Sequence, residues 1–101
     1  MKILIIEDDK ATAEFVAKGL QDAGYQTGHA EDGVRGLEMA KSGTFDLAVV
    51  DIMLPGLDGF AVIRGIREAG VEMPLLVLSA KDSVESKISG LDCGGDDYLA
   101  K

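Results

Sequence analysis

Side chains able to do phosphoryl chemistry stand directly after four apolar runs of this 101-residue chain. They are Glu7 and Asp8 after the first run, Asp51 after the second, Ser79 after the third and Lys101 after the fourth. Three carboxylates brought together repel one another, and a hard dication such as Mg²⁺ relieves that repulsion through oxygen coordination. Mg²⁺ beside a carboxylate, a hydroxyl and an ammonium stabilises a transferring phosphoryl group, and Asp is itself a competent nucleophile. The set therefore predicts magnesium-dependent phosphoryl transfer involving Asp51.

These residues meet only if the apolar runs are parallel strands of one sheet. The runs at 3–6, 47–50 and 75–78 are typical of strands buried on both faces. Segments with apolar residues at helical spacing separate them, and crossovers of that length form right-handed βαβ units. The carboxyl ends of parallel strands lie at one edge of the sheet, where ligands bind in such folds. We therefore predict an α/β fold, a doubly wound parallel five-stranded sheet, with the site at that edge.

Four helices are predicted between the strands. Asp9 and Asp32 stand where helix caps are expected, and Gly24 stands where the first helix should end. The fourth helix is predicted to begin near Asp82, which has capping-box spacing with the acid three residues later. The side chains expected to face inward from the second helix are Val34, Leu37 and Ala40.

Composition narrows the classes of function. A net charge of −8 argues against direct nucleic-acid contact by this domain, because phosphate binding needs a positive surface. The single cysteine, Cys93, cannot form an internal disulfide, and no apolar run reaches membrane-spanning length. The amino terminus meets acid too early for a signal peptide. We expect a cytoplasmic protein that does not contact the membrane.

Four motifs occur in order at the predicted strand ends: Ile5–Asp9, Val50–Gly59, Leu78–Ala80 and Gly95–Lys101. With them the chain resembles the receiver (CheY-like) domain of two-component response regulators over its whole length. The resemblance implies the flavodoxin-like strand order 2-1-3-4-5. It also implies that residues 1–101 form a receiver domain that lacks the family's fifth helix and its effector domain. The stretch Gly95–Leu99 is most similar to the OmpR/PhoB-type regulators, which carry a winged-helix DNA-binding domain.

The resemblance also implies roles for the acidic residues. Asp51 would be the phosphoacceptor, taking its phosphoryl group from a histidine of a partner sensor kinase. Asp8, Asp51 and the backbone carbonyl of Met53 would bind Mg²⁺ directly, and Glu7 would bind it through water. His29, the only histidine, is expected to be an ordinary surface residue, since the donor histidine belongs to the kinase.

Three further residues would turn phosphorylation into a switch. Ser79 resembles the hydroxyl that turns toward the phosphoryl oxygens, and Tyr98 the aromatic side chain that rotates with it. Lys101 would pair with Asp51 before phosphorylation and with the phosphate afterwards. The signalling surface implied by the family is the fourth helix, fifth strand and fifth helix. That surface would control a DNA-binding output domain in transcription regulation, and the protein is expected to form a homodimer on activation.

Two alternatives to this switch stay open. The first is a magnesium-dependent phosphatase or phosphotransferase with an Asp nucleophile. Haloacid-dehalogenase-type enzymes place a second Asp two residues after the nucleophile as proton donor, and Met53 stands there. The second is a pseudo-receiver used only for protein contacts, which would be expected to lack one of the site residues. We expect no enzyme for an external substrate, only a domain that catalyses its own phosphorylation and dephosphorylation.

Overall fold

Strands and helices alternate along the chain, as the apolar pattern predicts. The computed structural model describes residues 1–51, 54, 59–79 and 97–100, so the expected fourth helix lies outside the described residues. No helix in the described part is long and apolar enough to cross a membrane. The elements are β1 (Lys2–Ile6), α1 (Lys10–Asp22), β2 (Gln26–Ala30), α2 (Gly33–Lys41), β3 (Leu47–Asp51), α3 (Gly59–Glu68), β4 (Leu75–Ser79) and β5 (Asp97–Ala100).

The five strands form one parallel sheet in the order β2-β1-β3-β4-β5, which confirms the predicted fold class and topology. Ile6 pairs with Ala30 on one side and with Val50 on the other. Asp51 pairs with Leu78 in the neighbouring strand β4. The carboxyl ends of the central strands therefore meet at the same edge of the sheet.

Helices cover both faces of the sheet, and alternate residues of β1 and β3 face opposite helix layers. On one face, Leu4 and Val50 belong to the main core together with Val62 and Ile66 of α3. On the other face, the core is smaller and includes Ile3 and Val49, with Leu20 of α1 packed against them. Full burial of such an aliphatic side chain stabilises the fold by roughly 1.5–3 kcal/mol. Burial on both faces holds the central strands, and so the edge residues, in place.

Helix ends follow the predicted signals, with one correction. The carboxylate of Asp32 accepts a hydrogen bond from the Arg35 backbone N–H at 2.8 Å and so caps α2. Gly24 adopts a φ of +96° after α1, a conformation that side chains disfavour. Asp9 occupies the N-cap position of α1 but makes no capping hydrogen bond to the backbone, and its carboxylate accepts from the Thr12 hydroxyl.

The inward face of α2 differs from the prediction at Val34, whose exposure is 56%. Ala40 is buried and Leu37 packs against the main core, as predicted, while the helix also buries Gly33 and Gly36. Gly36 lies so close to Ile6 that a Cβ atom there would stand 2.7 Å from two Ile6 side-chain carbons. Close approach of α2 to β1 selects small residues for this face, and a search for apolar side chains overlooks Gly33 and Gly36.

Alanine substitution at two helical glycines should change the free energy of unfolding in opposite directions. Gly36→Ala is expected to lower the free energy of unfolding by about 1–2 kcal/mol, because overpacking against Ile6 outweighs the gain in helix propensity. Gly19→Ala in α1 meets nothing within 4 Å and should stabilise the fold by about 0.5–1 kcal/mol. Urea unfolding of both variants measures the difference. If Gly36→Ala instead raises the free energy of unfolding, α2 can move away from the sheet without loss of stability, and the overpacking argument is wrong.

Candidate functional site

Three carboxylates meet at the carboxyl edge of the sheet. Glu7 and Asp8 follow β1 directly, and Asp51 is the last residue of β3, the strand beside it. One ligand oxygen from each of the three residues lies within 4.8 Å of the other two. The pairing of β1 with β3 thus brings together acids that are far apart in the sequence, as the strand-end argument predicts.

Burial distinguishes the members of this acidic cluster. Glu7 and Asp51 are each only 1% exposed, whereas Asp8 is exposed. An oxygen of the Glu7 carboxylate accepts a hydrogen bond from the backbone N–H of Asp9 at 3.1 Å. Repulsion between charges grows as water is excluded, so neighbouring buried carboxylates are costly. A cation bound among them would offset that cost.

The donor set fits a hard divalent cation. All three candidate ligands are carboxylates, and oxygen ligands are those that Mg²⁺ and Ca²⁺ prefer. Two oxygens on opposite sides of Mg²⁺, each at about 2.1 Å, lie about 4.2 Å apart. The observed spacing of up to 4.8 Å is close to that separation. The residues present are therefore compatible with the metal.

The remaining predicted site residues are described less fully. Ser79 ends β4, and its backbone pairs with Ala100 of β5, so it stands at the same edge as Asp51. Tyr98 lies in β5 and pairs with Val77 through the backbone. Met53 and Lys101 lie outside the described residues. The backbone positions of Ser79 and Tyr98 agree with the prediction, while the roles of the Ser79, Tyr98 and Lys101 side chains and of the Met53 carbonyl stay predictions.

One residue at this edge was missed by the sequence analysis. His29 is exposed on β2, yet its Nε2 lies 2.7 Å from the backbone carbonyl oxygen of Glu7. The only signal in the sequence is its place next to the last residue of the predicted edge strand. The predicted strand order places β2 beside β1, but it does not tell that the His29 side chain reaches the Glu7 carbonyl. The expectation of an ordinary surface residue is incomplete for this reason.

The family follows from a comparison of the whole chain with known protein families. The profile of the response regulator receiver domain matches residues 3–101. This chain belongs to the response regulator receiver domain family. The resemblance inferred from the four motifs is thereby confirmed, and homologous domains are components of signalling switches.

Individual relatives agree with the assignment. The transcriptional regulatory protein SilR of Salmonella typhimurium is 46% identical over the whole chain, which covers 44% of SilR. The receiver domain of Francisella response regulator 1452 has a TM-score of 0.93 and 39% identity, with 99% of this chain and 83% of that chain covered. The chain thus spans less than half of the curated relative and most of the isolated receiver domain.

A third relative carries ligands of interest. A Burkholderia pseudomallei response regulator has been solved with a phosphorylated aspartic acid, a calcium ion and citrate. It has a TM-score of 0.90 and 28% identity, with 99% of this chain and 59% of that chain covered. A response regulator with a region of the same fold has therefore been observed with both a phosphorylated aspartic acid and a calcium ion.

Proposed function

We propose that this receiver domain accepts a phosphoryl group on Asp51 from a histidine of a sensor kinase, with Mg²⁺ bound in the acidic cluster. The observation that carries the proposal is the convergence of Glu7, Asp8 and Asp51 within 4.8 Å at the carboxyl edge of the sheet. Asp51 ends a strand with neighbours on both sides, so its backbone is held firmly. The phosphorylated Asp and divalent cation in the Burkholderia relative support the same assignment.

The proposed reaction is a nucleophilic displacement at phosphorus. A carboxylate oxygen of Asp51 attacks the phosphoryl group, the bond from phosphorus to the kinase imidazole nitrogen breaks, and an acyl phosphate remains. Asp8 and Asp51, with the Met53 carbonyl, would hold Mg²⁺ directly, and Glu7 would hold it through water. The bound ion would supply positive charge opposite the charge that develops on the phosphoryl oxygens. Ser79 and Lys101 would bind those oxygens in the product.

Intact mass after incubation with acetyl phosphate tests this function on the chain itself. With Mg²⁺ we expect a single phosphoryl adduct that alkali or hydroxylamine removes, as is typical of an acyl phosphate. With EDTA in place of Mg²⁺ the adduct should be absent, because the repulsion of the three carboxylates would oppose an incoming anionic donor. A folded chain that acquires no adduct with Mg²⁺ would leave the pseudo-receiver as the better description.

The output of the switch is proposed from the relatives. Phosphorylation replaces the −1 carboxylate of Asp51 with an acyl phosphate that carries about −1.5 to −2, a net change of about −0.5 to −1, and adds three acceptor oxygens, enough to bias a two-state element. Ser79 and Tyr98 would carry that change to the fourth helix, fifth strand and fifth helix, and a homodimer would form on activation. Since SilR is a transcriptional regulatory protein and is more than twice as long as this chain, we propose a DNA-binding output domain and a cytoplasmic location.

The kinase must reach Asp51, so it must contact elements that border the carboxyl edge of the sheet. Helix α1 begins at that edge and presents Phe15, whose exposure of 82% is unusual for so large an apolar side chain. The neighbouring positions that line the same groove include Lys18 and Gly19. We propose that this face of α1 receives the kinase.

Phe15→Ala is expected to slow phosphoryl transfer from a kinase that phosphorylates the unmodified chain by about 10-fold or more, as for an aromatic hot spot. Phosphorylation by acetyl phosphate should be unchanged, because no kinase surface is involved. The matched control is Val34→Ala. Val34 is also an exposed apolar residue, but it lies on α2, which packs on the opposite face of the sheet from α1. If Phe15→Ala slows phosphorylation by the kinase and by acetyl phosphate equally, Phe15 supports the folded structure and does not contact the kinase.

A further inference from the structure

His29 holds the backbone turn that carries two of the acidic residues, and we propose that it is a positioning residue for the metal site. The inference rests on the proposed function, since it concerns the orientation of Glu7 and Asp8 as metal ligands. It assigns a specific role to a residue that sequence reasoning treats as ordinary surface.

The peptide that links Glu7 to Asp8 is held through its oxygen. Strand β2 ends at Ala30, whose carbonyl accepts the Glu7 N–H at 3.1 Å and extends the β1–β2 pairing by one bond. The Nε2 of His29 reaches back over the same junction to the Glu7 carbonyl oxygen at 2.7 Å. Glu7 is thus bonded to the edge strand through both of its backbone polar groups.

The orientation of that peptide decides where both ligands point. The carbonyl of Glu7 belongs to the planar peptide unit that continues into Asp8, so fixing its oxygen limits rotation on both sides. Asp8 is exposed, and no packing of its side chain can substitute for a fixed backbone. Outer partners that orient metal ligands typically change metal affinity by about 10- to 100-fold when removed.

The direction of this hydrogen bond follows from its atoms. A carbonyl oxygen only accepts, so Nε2 carries the hydrogen in both the neutral and the protonated ring. The bond joins residues separated by 22 positions, so it is tertiary and not part of a local turn. His29 is exposed as a residue and belongs to neither core cluster. Loss of this hydrogen bond should therefore affect the conformation of the turn more than the stability of the whole fold.

We expect His29→Met to raise the dissociation constant for Mg²⁺ about 10-fold, at the lower end of the range for outer partners. Met is similar in length to Gln, but its side chain has no hydrogen-bond donor. In His29→Gln, the Nε2–H₂ group can donate from the position of the histidine Nε2, so this variant should restore the affinity for Mg²⁺ to within about threefold. Titration of ¹⁵N-labelled protein with MgCl₂, followed through the amide shifts of Asp8 and Asp9, gives the constants directly.

Thr27→Val is the matched control on the same strand. The Thr27 hydroxyl accepts a hydrogen bond from the Gln21 side chain at 2.8 Å. Thr27 lies near the start of β2, away from the end that carries His29. It should lower thermal stability without changing the affinity for Mg²⁺. In metal-free protein, hydrogen exchange of the Asp9 amide should quicken several-fold in His29→Met alone, because that amide bonds to the Glu7 side chain on the same turn.

The outcomes separate this inference from the proposed function. Mg²⁺ binding that is weakened about 10-fold in His29→Met and restored in His29→Gln supports both. Equal affinity in the unmodified chain and His29→Met, or equal weakening in Thr27→Val, overturns the role of His29 and leaves the proposed function intact. Absence of Mg²⁺ binding in the unmodified chain overturns the two together.

Discussion

Asp51→Asn is expected to abolish the phosphoryl adduct formed with acetyl phosphate and Mg²⁺, a loss of at least about 100-fold in rate, or roughly 2.7 kcal/mol of barrier. The amide is nearly isosteric with the carboxylate but has no anionic oxygen to attack phosphorus. Because Asp51 is 1% exposed at the end of β3, an isosteric change is needed to keep the edge of the sheet intact. Intact mass spectrometry on the two proteins measures the loss.

Asp9→Asn is the matched control for this experiment. It makes the same chemical change on the turn that carries Glu7 and Asp8, but Asp9 is not among the described residues whose ligand atoms converge. The variant should acquire the adduct at a rate within about threefold of the parent, since a single exposed charge has a small effect. An adduct that persists in Asp51→Asn would move the acceptor to another carboxylate, with Asp8 the first to test.

Asp8→Asn is expected to remove most of the stabilisation that Mg²⁺ gives to the folded state. A ligand present at about 100 times its dissociation constant adds about 2.7 kcal/mol to the free energy of unfolding. If the lost carboxylate weakens binding about 100-fold, the same Mg²⁺ concentration adds only about 0.4 kcal/mol. For a domain of this size, that difference corresponds to a fall of roughly 10–20 °C in the thermal shift produced by Mg²⁺.

Thermal unfolding followed by circular dichroism, at constant ionic strength, measures this shift. Constant ionic strength matters because salt by itself screens the repulsion among Glu7, Asp8 and Asp51. Without Mg²⁺, Asp8→Asn should be at least as stable as the parent, since one of three neighbouring charges has gone. Asp9→Asn should keep the full shift. A parent protein whose Tm does not respond to Mg²⁺, or an Asp8→Asn variant that keeps the response, would contradict the metal site.

Several features were predictable because they depend on local chemistry. The strands at 2–6, 47–51 and 75–79 follow from apolar runs that end on polar residues, and the structure places them there. The cap at Asp32 and the left-handed Gly24 follow from the preferences of single side chains. The convergence of Glu7, Asp8 and Asp51 required one further rule, that parallel strands end at a common edge. The roles of Met53, Ser79, Tyr98 and Lys101 were inferred from family resemblance and stay predictions.

The sequence by itself determined the order of the elements, the identity of the acidic residues and the family to which the chain belongs. Only the tertiary structure decided that Glu7 is buried while Asp8 is exposed, and that His29 bonds to the carbonyl between them. It also decided that α2 packs Gly36 against Ile6 and leaves Val34 in solvent. These outcomes depend on the side-chain contacts between β1 and β2 and on how closely α2 approaches the sheet. Neither is encoded in the periodicity of a single segment, because both are set by the packing of residues remote in sequence.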